Sequence, residues 1–207
     1  MSSRLLGVAA AAGVVFIAGC RTQSSTASAT WFEPRTAPEL AGLDVTRRAP
    51  FELESERGNV VMLSFGYTSC LELCPDTFAT AKRVFGRLGD RASRVVFAYV
   101  TVDPERDTPE PFASFMASVD PRFIGVYLSG DRLARVLADY HVSVRKRLPD
   151  PERYRDRNLD PSRFYAMDHT SGFWLIDRAG RLRVHFEHAA GDEEILSAVL
   201  ALSREPS

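Results

Sequence analysis

Cys70 and Cys74 stand four residues apart in Gly66-Tyr67-Thr68-Ser69-Cys70-Leu71-Glu72-Leu73-Cys74-Pro75-Asp76-Thr77, the stretch of this chain best equipped for chemistry. An apolar run, Val60 to Phe65, enters it, and a helix-like pattern leaves it. The carboxyl ends of strands are where α/β folds place their sites. A helix N-terminus carries a partial positive charge that favours thiolate, the form that binds metal or exchanges disulfides. On the residues alone, a metal site, a redox pair and a structural disulfide all stay open. A disulfide closing so short a loop adds little entropic stabilisation. The four-residue spacing also departs from the Cys-X-X-Cys of dithiol oxidoreductases. Two soft thiolates select Cu(I), zinc or iron–sulfur over magnesium or calcium. Two thiolates rarely complete a site, so a third ligand is expected.

The chain has four histidines. His169 lies in Asp168-His169-Thr170-Ser171-Gly172, at the entry to an apolar strand-like segment. In a layout with the dicysteine at a strand–helix junction, that entry falls beside the cysteines. His185 and His188 are three apart in a strand-like segment, face opposite ways and make a poor metal pair. His141 ends a helix pattern, where a cation suits the helix dipole. Two cysteines and one histidine lack the fourth protein ligand of a closed structural zinc site. They suit copper, with a low coordination number for Cu(I) and an added ligand for Cu(II). Asp103-Pro104-Glu105-Arg106-Asp107-Thr108-Pro109 reads first as a tight turn and a helix start, with Thr108 as cap and Pro109 in the first turn. Asp103 is also placed to orient a ligand from behind.

The elements that must position these groups follow from periodicity. Val60 to Phe65 is continuously apolar, as a strand buried on both faces is. Phe78, Ala81, Val84, Phe85 and Leu88 form one helical face after Pro75. Val95 to Val102 and Phe123 to Leu128 read as further buried strands. Between them lies a helix with Phe112, Phe115, Met116 and Val119 inward, and after them one with Leu133, Val136, Leu137 and Tyr140 inward. Short strands or a hairpin are expected over 37–53, a short strand around Val142 and Val144, and a long charged loop over 145–165, a candidate for partner docking or a lid. Phe173 to Ile176, an Asp177-Arg178-Ala179-Gly180 turn and alternating Leu182, Val184 and Phe186 make a late hairpin, closed by a helix from Glu193 to Leu202. Strand–helix alternation with right-handed crossovers predicts an α/β fold with a central mixed, mostly parallel sheet flanked by helices and an added hairpin. The dicysteine at the first buried strand–helix junction makes the pattern thioredoxin-like.

The 207 residues, 45% hydrophobic and 26% charged, suit one domain behind a leader. A net charge of −1 gives no electrostatic case for nucleic acid. Leu5 to Ala18 is too short to span a membrane and ends in Ile17-Ala18-Gly19-Cys20, which resembles a bacterial lipobox. The expected organisation is a lipoprotein signal peptide over 1–19, a flexible tether over 20–35 and a globular domain over 36–203. The lipobox resemblance implies lipid on Cys20 and a chain anchored in the bacterial cell envelope, facing the periplasm or extracytoplasmic side; the other reading is a plain secretory signal that ends near a cysteine.

With these parts in order, the sequence resembles the Sco/SenC family of copper chaperones, whose thioredoxin-like domains are tethered to membranes. The resemblance rests on the strand into Gly66-Tyr67-Thr68-Ser69-Cys70, the Cys-X3-Cys-Pro of Cys70 to Pro75, Asp103 to Pro109, and Asp168-His169-Thr170-Ser171 before a strand with an Asp-X-X-Gly turn. It covers about Trp31 to Leu202. It implies that Cys70, Cys74 and His169 bind copper, Cu(I) or Cu(II). It implies a role in assembling the dinuclear copper A centre of cytochrome c oxidase, with the copper-bearing oxidase subunit or another copper chaperone as partner. That role is a metallochaperone's; the enzyme-class alternative is a thiol-disulfide oxidoreductase that keeps partner cysteines reduced, with Cys70 and Cys74 as its redox-active pair. The family usually has proline directly after the first cysteine, where this chain has Leu71.

Overall fold

A computed structural model of the protein describes residues 28–70, 74–148 and 164–206. Its centre is strand β4 (Val60–Gly66), seven consecutive buried residues. Strand β5 (Val95–Thr101) pairs with β4 in parallel, Val60 opposite Val95 through Gly66 opposite Thr101. Strand β6 (Ile124–Tyr127) extends the parallel pairing beyond β5. On the other side of β4 lies antiparallel β9 (Gly172–Ile176), followed by β10 (Arg181–Glu187) and β1 (Ala29–Thr36). The far edge is a hairpin of β2 (Ala41–Asp44) and β3 (Ala49–Glu52), with β2 bonded to β6. The sheet order is β1-β10-β9-β4-β5-β6-β2-β3.

Side chains alternate across β4 and so divide the core in two. Val60 and Met62 face helices α1 (Cys74–Leu88), α2 (Pro109–Val119) and α4 (Asp192–Leu202), through Phe78, Val84, Phe112, Met116 and Ile195. Val61, Leu63 and Phe65 face α3 (Gly130–Asp139) through Leu133 and Val136, with Tyr140, Phe51 and Trp174 completing that layer. The expected face of α1 is buried in full, from Phe78 to Leu88.

Three expectations change. The thioredoxin-like mixed α/β arrangement is present, but the sheet is not mostly parallel. Among the described strands only the β4–β5 and β5–β6 pairings run parallel, and the other five pairings of the sheet are antiparallel. Continuous apolar runs mark strands buried on both faces, and β9 satisfies that condition while running antiparallel. The tether over 20–35 ends earlier than expected, because residues 29–35 belong to β1. This edge strand is mostly exposed and joins β10 by backbone hydrogen bonds with a bulge between Trp31 and Arg35, so it needs no apolar period. Thirdly, Val144–Arg147 is strand β7 and pairs antiparallel with β8 (Ala166–His169) in a small second sheet. The rest of the expected charged loop, residues 149–163, lies outside the described residues, as do the signal peptide, Cys20 and positions 71–73. Among the described residues no helix is long and apolar enough to cross a membrane.

Candidate metal centre

Cys70 ends the loop that leaves β4, at the carboxyl edge of the parallel strands. It is half-buried, and its side chain packs against both core layers, which meet at this edge. Its N–H donates to the Tyr67 carbonyl at 3.3 Å, a turn that curls the loop back toward the sheet. Cys74 is the first residue of α1, with Asp76 in the first turn, so its backbone stands in the positive field of the helix N-terminus. The Cys74 side chain lies outside what is described. His169 is the last residue of β8, paired with Val144 and half-buried. Its Nδ1 lies 3.0 Å from the Thr170 carbonyl, which holds the ring in one tautomer when Nδ1 carries the proton and leaves the Nε2 lone pair to accept a proton or a metal.

Tyr67 joins the two arms. Its ring meets the His169 ring edge-on at 5.8 Å, and its hydroxyl accepts the Met167 N–H at 3.2 Å. Its own carbonyl accepts from Cys70. A cysteine and a histidine far apart in sequence are thus organised around one buried tyrosine. Among the described residues, which leave out the Cys74 side chain, no group of three Cys, His, Asp or Glu side chains closes on a metal-sized space.

The Asp103–Pro109 turn holds both arms from behind. Asp107 is 1% exposed, and its carboxylate accepts the Thr68 N–H at 3.0 Å, the Thr68 hydroxyl, and the Thr101 hydroxyl at 2.7 Å. It therefore fixes the cysteine loop two residues before Cys70. Burial pushes the Asp107 pKa up, and the bonds from Thr68 and Thr101 only partly counter this. Asp103, 2% exposed, accepts the Tyr165 hydroxyl at 2.7 Å and the Arg106 guanidinium. The Arg106 guanidinium carbon sits over the Tyr165 ring, 3.6 Å from its centre, and over Tyr67 at 5.4 Å, and Arg106 donates to the Tyr165 carbonyl at 2.9 Å. Burial, and then the Asp103 carboxylate, raise the Tyr165 pKa, so this phenol stays a donor. Tyr165 stands directly before β8, the strand that carries His169. Asp103 thus tethers Tyr165, four positions ahead of His169, and the contact is with that residue rather than with the histidine. Thr108, expected to cap α2, makes no side-chain cap bond, while Pro109 does open the helix.

The other histidines have different surroundings. His185 stacks on Trp174 at 4.1 Å, where burial lowers its pKa. His188 follows β10 and stands 4.0 Å from Asp76. His141 ends α3 with a φ of 55°. The sequence pattern singles out Cys70, Cys74, His169 and Asp103 as candidates, but not Tyr67, Asp107 or Tyr165, which the structure joins to the Cys70 loop and the His169 strand. Asp107 was visible only as a charge in a turn, and Tyr165 carried no periodic signal at all.

Comparison with known proteins adds a lineage to this geometry. The family model described as SCO1/SenC matches residues 43–204. An SCO2-like protein of Rickettsia prowazekii is 28% identical over 146 residues, 70% of this chain and 67% of the relative. The structure of Bradyrhizobium japonicum ScoI with copper bound superposes with a TM-score of 0.68 at 27% identity, covering 81% of this chain and 99% of that one. The apo Sco1 protein of Thermus thermophilus gives a TM-score of 0.70 at 25% identity, over 86% and 97% of the two chains.

Proposed function

The chain belongs to the SCO1/SenC family, and from that membership we propose that it binds copper and serves in the assembly of cytochrome c oxidase. Copper is the cargo, held by the thiolates of Cys70 and Cys74 and by His169. The observation that carries this reading is the Tyr67 junction, which brings the Cys70 loop and the His169 strand to one edge of the sheet. Similarity to a ScoI protein with copper bound supports the choice of metal. Soft sulfur with one imidazole suits both copper oxidation states, whereas a closed zinc site requires a fourth protein ligand.

Delivery to the copper A centre proceeds by exchange of ligands, with partner thiolates replacing Cys70 and Cys74 stepwise. The half-buried position of Cys70 would leave a partner thiolate room to reach the cargo it holds. The copper-bearing oxidase subunit or another copper chaperone is the partner. Lipid on Cys20 anchors the domain to the membrane, on the periplasmic or extracytoplasmic side. Loss of lipid labelling on Cys20→Ser tests that anchor.

Copper stoichiometry and the Cu(II) spectrum of the reduced chain, compared with His169→Ala, test the site. Loss of the native spectrum and weaker Cu(II) binding are expected, and an unchanged spectrum and affinity refute the ligand set. The backbone of Cys74 at the start of α1 also favours a thiolate there, which keeps the oxidoreductase alternative in view. Oxidase assembly in cells that retain both cysteines but lack His169 separates the two: retained assembly favours thiol exchange, lost assembly favours copper.

A further inference from the structure

Beside Cys70, on the helical side of the sheet, the surface opens into a cleft of about 320 Å³. Its walls are Phe78 and Ala79 of α1 and Phe115 and Val119 of α2, with Cys70 at one end and Lys82 on the rim. Phe115 and Val119 lie on the apolar stripe of α2 expected to be core, yet only Phe112 and Met116 of that stripe are fully buried. The fold leaves the other two half-covered, and Phe115 meets the Phe78 ring at 5.5 Å. An apolar recess that ends at a half-buried cysteine has a use that core packing does not explain.

We propose that this cleft docks the copper-accepting partner, taking a bulky apolar side chain that neighbours the partner's own thiol, with a partner carboxylate meeting Lys82. Charge selects the occupant. Lys82 is exposed at the rim, and among the described residues it enters no ion pair. Asp120, the acidic group whose charge it feels, is already held by both nitrogens of Arg122. The cleft's cation is thus available, and its walls are mostly apolar, with Thr68 beside Cys70 as the polar exception. A segment seated there presents its thiol to Cys70, which is the approach that ligand exchange requires. The inference deepens the copper-transfer reading and rests on it for the partner's identity.

The test uses the full chain carrying Cys20→Ser and Cys74→Ser, so that Cys70 is its sole thiol. The probes are synthetic decapeptides with one central cysteine activated as its 2-thiopyridyl disulfide. The Cys70 thiolate attacks the peptide sulfur, a new S–S bond forms, and the peptide–thiopyridyl bond breaks. The electron pair leaves with the thiopyridine, which takes up the thiol proton and is read by absorbance. One peptide carries Phe and Glu beside the cysteine; controls carry Ser for Phe or Lys for Glu.

The Phe peptide is expected to react about tenfold faster than the Ser peptide, the effect of burying one apolar side chain. Glu is expected to add about threefold over Lys, falling as salt rises. Val119→Trp, which fills the cleft, removes the first preference, and Lys82→Glu inverts the second. Equal rates for all peptides overturn the proposal, as do preferences that survive both substitutions. Sedimentation of the same protein tests a different occupant: a dimer that Val119→Trp dissolves means that a second copy fills the cleft, and overturns the partner assignment. Copper binding is measured separately, on chains that retain Cys74 and His169 and carry Val119→Trp or Lys82→Glu. Copper binding that persists while peptide preference is lost confines the effect to docking. An unaltered chain that binds no copper refutes the copper reading, and the peptide rates still judge the cleft.

Discussion

Asp107→Ala is the substitution that bears most directly on how this site is built. The wild-type carboxylate is buried and accepts three hydrogen bonds, two from Thr68 and one from Thr101. Truncation leaves the Thr68 N–H and the fully buried Thr101 hydroxyl without their acceptor. Each orphaned group costs about 1–3 kcal/mol. The hydroxyl turns to another acceptor more easily than the amide does, and removing a buried charge returns part of its desolvation cost. The net loss is about 3 kcal/mol. For a domain of this size that lowers Tm by roughly 10 °C. Asp107→Asn keeps one carbonyl acceptor and carries no charge, so its loss is about half as large.

The pH dependence follows from the raised pKa of Asp107, whose first cause is burial. A carboxyl with a raised folded-state pKa contributes stability that is fully present below its unfolded pKa and is lost as pH rises through the folded pKa. The deficit of Asp107→Asn relative to the parent is therefore larger in acid than at neutral pH. Thermal unfolding followed by circular dichroism measures both effects, and a copper titration of the same variants follows the cysteine loop. A Tm shift below about 2 °C for Asp107→Ala refutes the claim that this carboxylate holds the loop. A deficit that grows with pH shows that hydrogen bonding to the ionised form outweighs its burial.

Gly172→Ala is expected to cost at least about 2 kcal/mol and to weaken copper binding. A Cβ there would sit 2.0 Å from the Phe186 carbonyl at a φ of +128°, three residues after His169, and urea unfolding measures the loss. Tyr67→Phe leaves the Met167 N–H without its acceptor, costing about 1 kcal/mol, and is expected to shift the Cu(II) spectrum through the His169 ring; an unchanged spectrum removes Tyr67 from the site. The Asp177 carboxylate, 2% exposed, is held below the ordinary range by the Arg181 backbone N–H and the Arg181 and Arg183 side chains, which outweigh its burial. Its contribution is present above the unfolded pKa of about 3.9 and is lost as pH falls through the lower folded value. Asp177→Asn should flatten the acid limb of a Tm-versus-pH curve.

The sequence by itself determined the layers and singled out the candidate ligands. The mostly apolar β4 and the 3.6-residue period of α1 depend on local burial, and local burial is written in residue type. Two thiols at a strand–helix junction limit the chemistry before any coordinate is known. Strand direction was not legible beyond the parallel centre, because a strand buried on both faces looks apolar whichever way it runs, as β9 does. The edge strand β1 was hidden because backbone pairing alone holds it and leaves its side chains exposed. The support of the site was decided only in three dimensions. Asp107 and Thr68, Asp103 and Tyr165, and Tyr67 and His169 are each joined across long stretches of chain by hydrogen bonds or ring contacts. No residue in those pairs carries a periodic signal, since what fixes them is the meeting of two loops at the end of β4. The cleft beside Cys70 has the same origin: the apolar stripe of α2 is visible in sequence, but only the packing of α1 against α2 leaves Phe115 and Val119 half-covered.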